Sequence, residues 1–256
     1  MRTQFSKIAL LAAFGLAMAF TFSCSSGNDD PPPNGGGNNG DPSISGGSPS
    51  EYTGGSCDAS DYGRAEIDGK VWMAKNWGCY AQGSKCYNNN PAYCNAYGRL
   101  YDWATAMNLP SKCNNTSSFY DNDCLIEYPH QGICPSGWHI PGGDEWFSLV
   151  NYVESDRGCS HCAAKYLKAT SGWNEGPIQI QGESSNGEDT FRFAALPGGG
   201  VYSDGYFDQA GYYGFWWATE ELLADNAYIL SITYREVATL RQNSKDFGFS
   251  VRCVKD

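Results

Sequence analysis

The sequence predicts an α+β domain held together by disulfides. Apolar residues recur at helical spacing in the first half of the domain and with a period of two in the second half. Ten cysteines are spread along the same region, as in disulfide-rich secreted proteins. Because helices gather before strands rather than alternating with them, we expect two main helices and antiparallel sheets, not a parallel βαβ sheet.

The first 23 residues have the pattern of a bacterial export signal. Arg2 and Lys7 are basic, and residues 8–22 form an apolar run that is short for a membrane span and suits a signal-peptide core. We predict a lipoprotein signal peptide over residues 1–23, with Cys24 diacylated as the mature N-terminus. Ordinary secretion is the alternative. Either way the protein is exported, and we expect it to be lipid-anchored at the outer membrane or cell surface.

Composition divides the remaining chain into a tether and one domain. Residues 24–56 are rich in Gly, Asn, Ser, Pro and Asp, so they are predicted to be a disordered tether. Residues 57–256 are aromatic and evenly mixed, which suits a single domain. The net charge is −11 without any Lys/Arg cluster, so nucleic acid is not an expected partner. After the signal no apolar stretch is long enough to span a bilayer, so membrane contact is expected only through the lipid.

The cysteine count supports disulfide formation. The chain has eleven cysteines, and removing Cys24 leaves an even number in an oxidising compartment. These candidates are Cys57, Cys79, Cys86, Cys94, Cys113, Cys124, Cys134, Cys159, Cys162 and Cys253. Spacing favours pairs 86–94 and 113–124, each closing a polar loop, while apolar flanks favour 134–253 as a core link contributing about 4–5 kcal/mol. The remaining connectivity is open.

The CSHC run at residues 159–162 has three interpretations. A local disulfide is favoured over a redox pair, which would need a nucleophilic thiolate at a helix N-terminus. A zinc half-site would need a second ligand pair, and His130 and His139 do not have the matching spacing. His139 itself lies in an apolar run and is predicted to be a structural histidine.

Helical and turn signals place the first elements. Residues 65–73 read as a hairpin around Asp68-Gly69. Residues 98–109 are predicted as a helix from their apolar spacing and from the proline that follows. A second helix is predicted over residues 144–155 through Trp146, Leu149, Val150 and Val153. Residues 163–168 are a third, short candidate.

Period-two patterns predict the strands. Residues 191–195 and 247–253 alternate apolar with small or polar side chains, and residues 227–234 read as a central strand. In the C-terminal pattern Cys253 falls on the same face as Phe249 and Val251, so we expect it to be buried. Turns are predicted at residues 198–200 and 203–205.

Several motifs occur in an order that resembles one protein family. They are VWMAKN at 71–76, YGRLYDW at 97–103, CPSGWHIP at 134–141, ALPGG at 195–199, WWATE at 216–220 and GFSVRCV at 248–254. Over residues 64–255 the chain resembles the Fibrobacter succinogenes major paralogous domain, found in secreted or lipid-anchored bacterial surface proteins. The resemblance implies an extracytoplasmic location and no established biochemical activity.

A second resemblance concerns the fold. WHIP at 138–141, the following Glu145-Trp146 and GFSVR at 248–252 are similar to signatures of C-type-lectin-like and formylglycine-generating domains. This likeness implies a C-type-lectin-like α+β fold, with two main helices and twisted antiparallel sheets.

The residues that those families use for chemistry are absent. A formylglycine-type oxidase needs a reactive cysteine pair in its C-terminal part, and no cysteine lies between Cys162 and Cys253. Lectin calcium sites use Glu-Pro-Asn or Gln-Pro-Asp with Trp-Asn-Asp, and this chain has none of these tripeptides. We therefore predict a protein that is not an enzyme, with no catalytic residues, metal site or cofactor.

The segment 201–217 is the candidate binding region. Its eight aromatic residues are Tyr202, Tyr206, Phe207, Tyr212, Tyr213, Phe215, Trp216 and Trp217. Aromatic faces stack on sugar rings, and nearby acids supply polar contacts. We predict that Tyr202, Asp204, Tyr206, Asp208 and Tyr212 bind ligand at the surface, whereas residues 215–217 pack the core.

The favoured function is a non-catalytic, lipid-anchored surface module whose partner is a polysaccharide or a surface protein. The alternative is a structural envelope protein without a specific ligand. An enzyme of unknown type is the third hypothesis.

Overall fold

The computed structural model describes residues 54–176 and 184–256. The predicted signal peptide, Cys24 and most of the predicted tether lie outside these residues. The described part is α+β with antiparallel sheets, as the two periodicities predict. None of its helices is long and apolar enough to cross a membrane.

The first sheet brings the two ends of the domain together. β1 (Ala65–Ile67) and β2 (Lys70–Trp72) form the predicted hairpin. Asp68 and Gly69 have φ values of 52° and 70° in its turn, as a type I′ turn requires. β9 (Val254–Lys255) lies between β2 and β3 (Trp138–His139) and pairs antiparallel with both. The C-terminus is therefore an interior strand of this sheet.

The second sheet consists of β6 (Tyr213–Leu223), β7 (Asn226–Thr233) and β8 (Ala238–Ser244), with β7 in the middle. β7 confirms the predicted central strand. The register between β6 and β7 shifts between Trp217 and Glu221, and such bulges re-aim the side chains near them. A separate two-stranded ribbon joins β4 (Gly200–Val201) to β5 (Phe207–Asp208).

The longest helix is α3 (Gly143–Arg157), which confirms the prediction for residues 144–155. It buries the predicted stripe of Trp146, Leu149, Val150 and Val153. The short helix α4 (Ala163–Leu167) also lies where it was predicted. Both helices could be predicted from the spacing of their apolar residues, because each presents one apolar face to the core.

The helix predicted over residues 98–109 is wrong in its first half. The chain forms α1 (Pro91–Tyr97) and then a single turn, α2 (Trp103–Ala106). Gly98, with φ 78°, ends α1, while Leu100 and Tyr101 are extended and pair with Lys85 and Phe249. These long-range bridges satisfy the backbone of residues 100–101 outside any helix.

The strand predicted over residues 191–195 is also wrong. Arg192 and Ala194 have φ values of 56° and 49°, so the backbone turns, although Phe193 and Ala195 are buried as the alternation suggested. Residues 247–253 form only isolated bridges, and the regular strand begins at Val254. In both segments the alternation identified buried apolar residues, but it predicted regular pairing incorrectly. In the second segment the intervening Ser250 and Arg252 are buried as well.

Strand β6 separates two apolar clusters. Phe215 and Trp217 belong to one cluster, and Trp216 and Ala218 belong to the other. Because alternate side chains of a strand point to opposite faces, one strand supplies aromatic residues to both clusters. The prediction that residues 215–217 are core is confirmed, since all three side chains are buried.

Five disulfides join all ten cysteines of the described domain. The pairs are Cys57–Cys79, Cys86–Cys94, Cys113–Cys124, Cys134–Cys253 and Cys159–Cys162. Four of them match the predicted or favoured pairings, and the first was left open by the spacing. The 134–253 bridge spans 119 residues and ties the C-terminal segment into the core.

Candidate functional site

The turn between β4 and β5 has a fixed local geometry. The Tyr202 amide donates to the Tyr206 carbonyl, and Gly205 donates back to Tyr202 at 2.9 Å in each case. Asp204 accepts the Tyr206 amide through its side chain. Gly205 has φ 84°, a conformation that favours glycine. The turn therefore holds both tyrosines in defined positions.

An aromatic cluster on this ribbon is built from two sets of ring contacts, one through Tyr202 and one through Phe207. Tyr202 stacks on Tyr206 at 6.4 Å and 12° between planes, and meets Phe247 edge-on at 4.8 Å. Phe207 meets Tyr87 edge-on at 5.4 Å. Tyr206 is 49% exposed, while the other rings are half-buried. We call this cluster, extended by Tyr93 against Tyr87, the aromatic hairpin face.

An acid borders the same cluster. Burial, with the nearby Asp208 carboxylate, raises the pKa of Tyr87 to about 12 and also raises the pKa of Tyr202. Both hydroxyls therefore stay protonated at neutral pH and keep their donor capacity. Asp208 accepts the Gln209 amide at 2.8 Å through one oxygen. Rings, hydroxyls and a carboxylate together suit a ligand rich in hydroxyl groups.

The structure brings four of the five predicted binding residues onto one ribbon: Tyr202, Asp204, Tyr206 and Asp208. Tyr212 lies in a different aromatic cluster, where it meets Tyr234 edge-on at 6.2 Å.

Sequence reasoning missed Tyr87, Tyr93 and Phe247 as members of the face. The two tyrosines lie on the loop closed by the Cys86–Cys94 disulfide, far from the ribbon in sequence. The predicted disulfide marked that loop as a defined structure, but no sequence signal linked it to the ribbon.

A cleft of about 270 Å³ lies elsewhere on the domain. It is lined by Trp103, Ser118, Cys124, Ile126, Tyr128, Thr219, Glu220 and Glu221. Because β6 is irregular between Trp217 and Glu221, both glutamates line this cleft. The sequence analysis did not identify it.

The two glutamates of the cleft differ in their partners. Glu221 pairs with the buried Lys245 at 2.5 Å, and its other oxygen accepts hydrogen bonds from Ser117 and Ser118. Although burial opposes it, these contacts lower the pKa of Glu221. Glu221 is therefore neutralised within the fold.

Glu220 is exposed, and only one of its two carboxylate oxygens accepts hydrogen bonds from the described residues. Its Oε2 accepts the Gly143 amide at 2.6 Å and the Thr219 hydroxyl at 3.3 Å. Among the described residues, neither a hydrogen bond nor an ion pair reaches its Oε1. Within residues 54–176 and 184–256, the cleft is therefore lined by one carboxylate with an oxygen that has no polar partner.

A charged cluster with His139 and Glu145 buried at its centre lies beside the cleft. His139 contacts Asp256 through Nδ1 at 2.7 Å and Glu145 through Nε2 at 3.1 Å. Against the effect of burial, these two carboxylates raise the pKa of His139. Lys70 pairs with Glu145 at 2.8 Å, and burial together with the Glu145 carboxylate raises the pKa of Tyr128. His139 thus has both nitrogens engaged, as expected of a structural histidine.

Metal ligands are not gathered anywhere in the described ranges 54–176 and 184–256, which contain no group of three or more His, Cys, Asp or Glu side chains placed to hold an ion.

Residues 65–255 match the Fibrobacter succinogenes major domain. The chain belongs to this family. The match covers the whole described domain except its first residues and Asp256, so the ribbon, the cleft and, apart from Asp256, the charged cluster lie within the family domain. No curated protein and no solved structure shows a significant match to the chain.

Proposed function

We propose that this Fibrobacter succinogenes major domain protein is a non-catalytic, lipid-anchored surface module that binds a glycan at the aromatic hairpin face. The observation that carries the proposal is the stacked pair Tyr202 and Tyr206 on a rigid turn. Exposed aromatic rings bordered by acids are the common means by which proteins hold sugar rings.

The finer fold assignment is part of the proposal. A C-type-lectin-like arrangement is supported by the long helix α3, by antiparallel sheets and by a C-terminal strand held between β2 and β3. The WHIP motif supplies β3, and Glu145-Trp146 lies in the first turns of α3. The positions of these two motifs support the proposed lectin-like arrangement.

The anchor has its own test. We expect the wild-type protein to partition with detergent and the Cys24→Ser variant to lose that behaviour, because the acyl chains account for the membrane affinity. Free release of the wild-type protein into the medium would contradict the lipoprotein proposal and leave ordinary secretion.

The glycan proposal is tested by binding isotherms on a broad polysaccharide panel. Tyr202→Ala and Tyr206→Ala should each weaken binding about fivefold, since a lost aromatic contact costs on the order of 1 kcal/mol. Tyr212→Ala is the matched control, because it makes the same change at a half-buried tyrosine in another cluster.

Three outcomes distinguish the hypotheses. A loss confined to the two hairpin variants supports the face as defined. An equal loss in Tyr212→Ala would extend the binding surface toward Tyr234. Absence of saturable binding across the panel would contradict the glycan proposal and favour a structural envelope protein without a specific ligand.

A further inference from the structure

Exposed apolar side chains concentrate around the cleft. Six of the ten large exposed hydrophobic residues of the described domain lie at 119–128 and 222–223, the two segments that flank it: Phe119, Tyr120, Leu125, Tyr128, Leu222 and Leu223. Phe119 is 84% exposed and Tyr120 is 82% exposed. We call these six residues the apolar rim. Concentrated exposed apolar surface marks interaction sites in soluble proteins.

The segment carrying most of this rim is held in place. The Cys113–Cys124 disulfide closes the loop, and Glu221 accepts the Ser118 amide at 2.8 Å. The Glu221 carboxylate is in turn fixed by Lys245. A surface ordered before binding loses less conformational entropy when a partner docks.

The charge in the cleft favours a positively charged ligand. Glu221 is neutralised by Lys245, whereas Glu220 has a free Oε1 and no cationic partner among the described residues. The chain as a whole is acidic, at −11. A cationic group would therefore be attracted to the domain and would find an acceptor in the cleft.

The cleft is small. At about 270 Å³ it is below the roughly 300–1,000 Å³ typical of sites for drug-sized ligands. That size suits one long side chain better than an oligosaccharide. Guanidinium groups pair well with carboxylates and also pack on aromatic rings such as that of Tyr128.

We propose that this cleft and the apolar rim dock a protein segment in which an arginine is flanked by apolar residues. The guanidinium pairs with Glu220 beside Tyr128, and the flanking side chains cover Phe119 and Leu125. The site is distinct from the aromatic hairpin face, so the domain would hold a glycan and a protein partner on different residues.

The test uses the full-length protein in detergent and two blocked tripeptides, acetyl-Leu-Arg-Leu-amide and acetyl-Leu-Gln-Leu-amide. We expect saturable binding of the arginine peptide, weakened by added salt, and at least fivefold weaker binding of the glutamine peptide. This comparison needs no variant. Equal binding of both peptides, or no saturable binding of either, would overturn the proposal.

Variants then locate the site. Glu220→Gln should weaken binding of the arginine peptide about fivefold. Glu127→Gln is the matched control and should leave binding unchanged, because Glu127 is an exposed acid that does not line the cleft. Phe119→Ser should weaken binding of the arginine tripeptide, whose flanking residues contact the rim, but leave binding of arginine amide unchanged. Equal effects of the two glutamine variants would overturn the assignment to the cleft. Arginine amide binding as tightly as the tripeptide would show a small-molecule guanidinium site in place of a protein-docking surface.

Tyr206→Ala separates this inference from the glycan proposal. It should leave peptide binding unchanged, and Glu220→Gln should leave glycan binding unchanged. Loss of both activities in either variant would contradict the existence of two sites.

Discussion

Replacing Glu145 with glutamine should remove a large and pH-dependent part of the stability. Glu145 is 6% exposed and receives hydrogen bonds from Lys70 at 2.8 Å, His139 at 3.1 Å and the Gly142 amide at 3.1 Å. Burial would raise its pKa, but these partners prevail and lower the pKa from 4.5 to about 2. The ionised form is therefore strongly favoured in the folded domain.

The magnitude follows from linkage. A carboxyl whose pKa falls from 4.5 to about 2 on folding contributes about 3 kcal/mol at neutral pH. Because the folded-state pKa is lowered, that contribution is present above pH 4.5 and is lost as the pH falls toward 2. Glu145→Gln should thus lower the free energy of unfolding by about 3 kcal/mol at pH 7, and the deficit should vanish near pH 2.

The measurement is guanidinium unfolding under non-reducing conditions, followed by tryptophan fluorescence, on both proteins from neutral pH down to pH 2. The difference between them isolates Glu145 from the other carboxyls that titrate in this range. Glu66→Gln is a matched control, since Glu66 is exposed on β1. A deficit that is equal at pH 7 and pH 2 would refute the electrostatic account and leave a packing defect as the cause.

Two further predictions concern the core and the disulfides. Trp217→Ala should lower the free energy of unfolding by roughly 3–5 kcal/mol, as for other buried aromatic truncations. Tyr206→Ala should lower it by less than about 0.5 kcal/mol, because Tyr206 is exposed. Equal losses of stability in thermal and chemical unfolding would place Tyr206 in the core. Thiol labelling under denaturing, non-reducing conditions should find no free cysteine in the domain, since all ten are paired. Labelling at Cys159 and Cys162 would instead support the redox interpretation.

Elements with a complete local signal could be predicted from sequence. The Asp68-Gly69 turn needs only its two residues and their alternating flanks, and α3 shows its buried stripe within its own sequence, from Trp146 to Val153. Cys134 and Cys253 could be paired because both lie in apolar runs that had to enter the core. In each case the deciding contacts lie within the segment or follow from burial alone.

Elements that depend on distant partners could not be predicted. Leu100 and Tyr101 fit a helical stripe, but their backbone pairs with Lys85 and Phe249 instead. Arg252 shows the same limit. Alternation predicted Cys253 on a buried face and did not identify its neighbour Arg252 as buried, yet Arg252 is fully buried.

Arg252 is tolerated in the interior because its guanidinium is satisfied. It donates to the Asn76 side chain at 2.6 Å and to the Met73 carbonyl at 3.1 Å. Burial lowers its pKa to about 9, so it stays charged at neutral pH. Both faces of the C-terminal segment are therefore buried, one by apolar contacts and the other by hydrogen bonds, which a hydrophobic pattern alone does not reveal.

The aromatic hairpin face and the apolar rim both include residues from a disulfide-closed loop, which explains why only the ribbon residues of the aromatic hairpin face could be predicted. The ribbon tyrosines are neighbours in sequence, but Tyr87 reaches the face from the loop closed by Cys86–Cys94. Likewise, Phe119 and Tyr120 of the rim lie on the loop closed by Cys113–Cys124. Irregular loops commonly carry binding residues, and a short covalent closure limits the conformations they explore. Each disulfide was predictable from spacing, whereas the sheet surface against which its loop packs depends on long-range contacts. The short disulfides therefore order the candidate binding loops, while the long Cys134–Cys253 link secures the core beneath them.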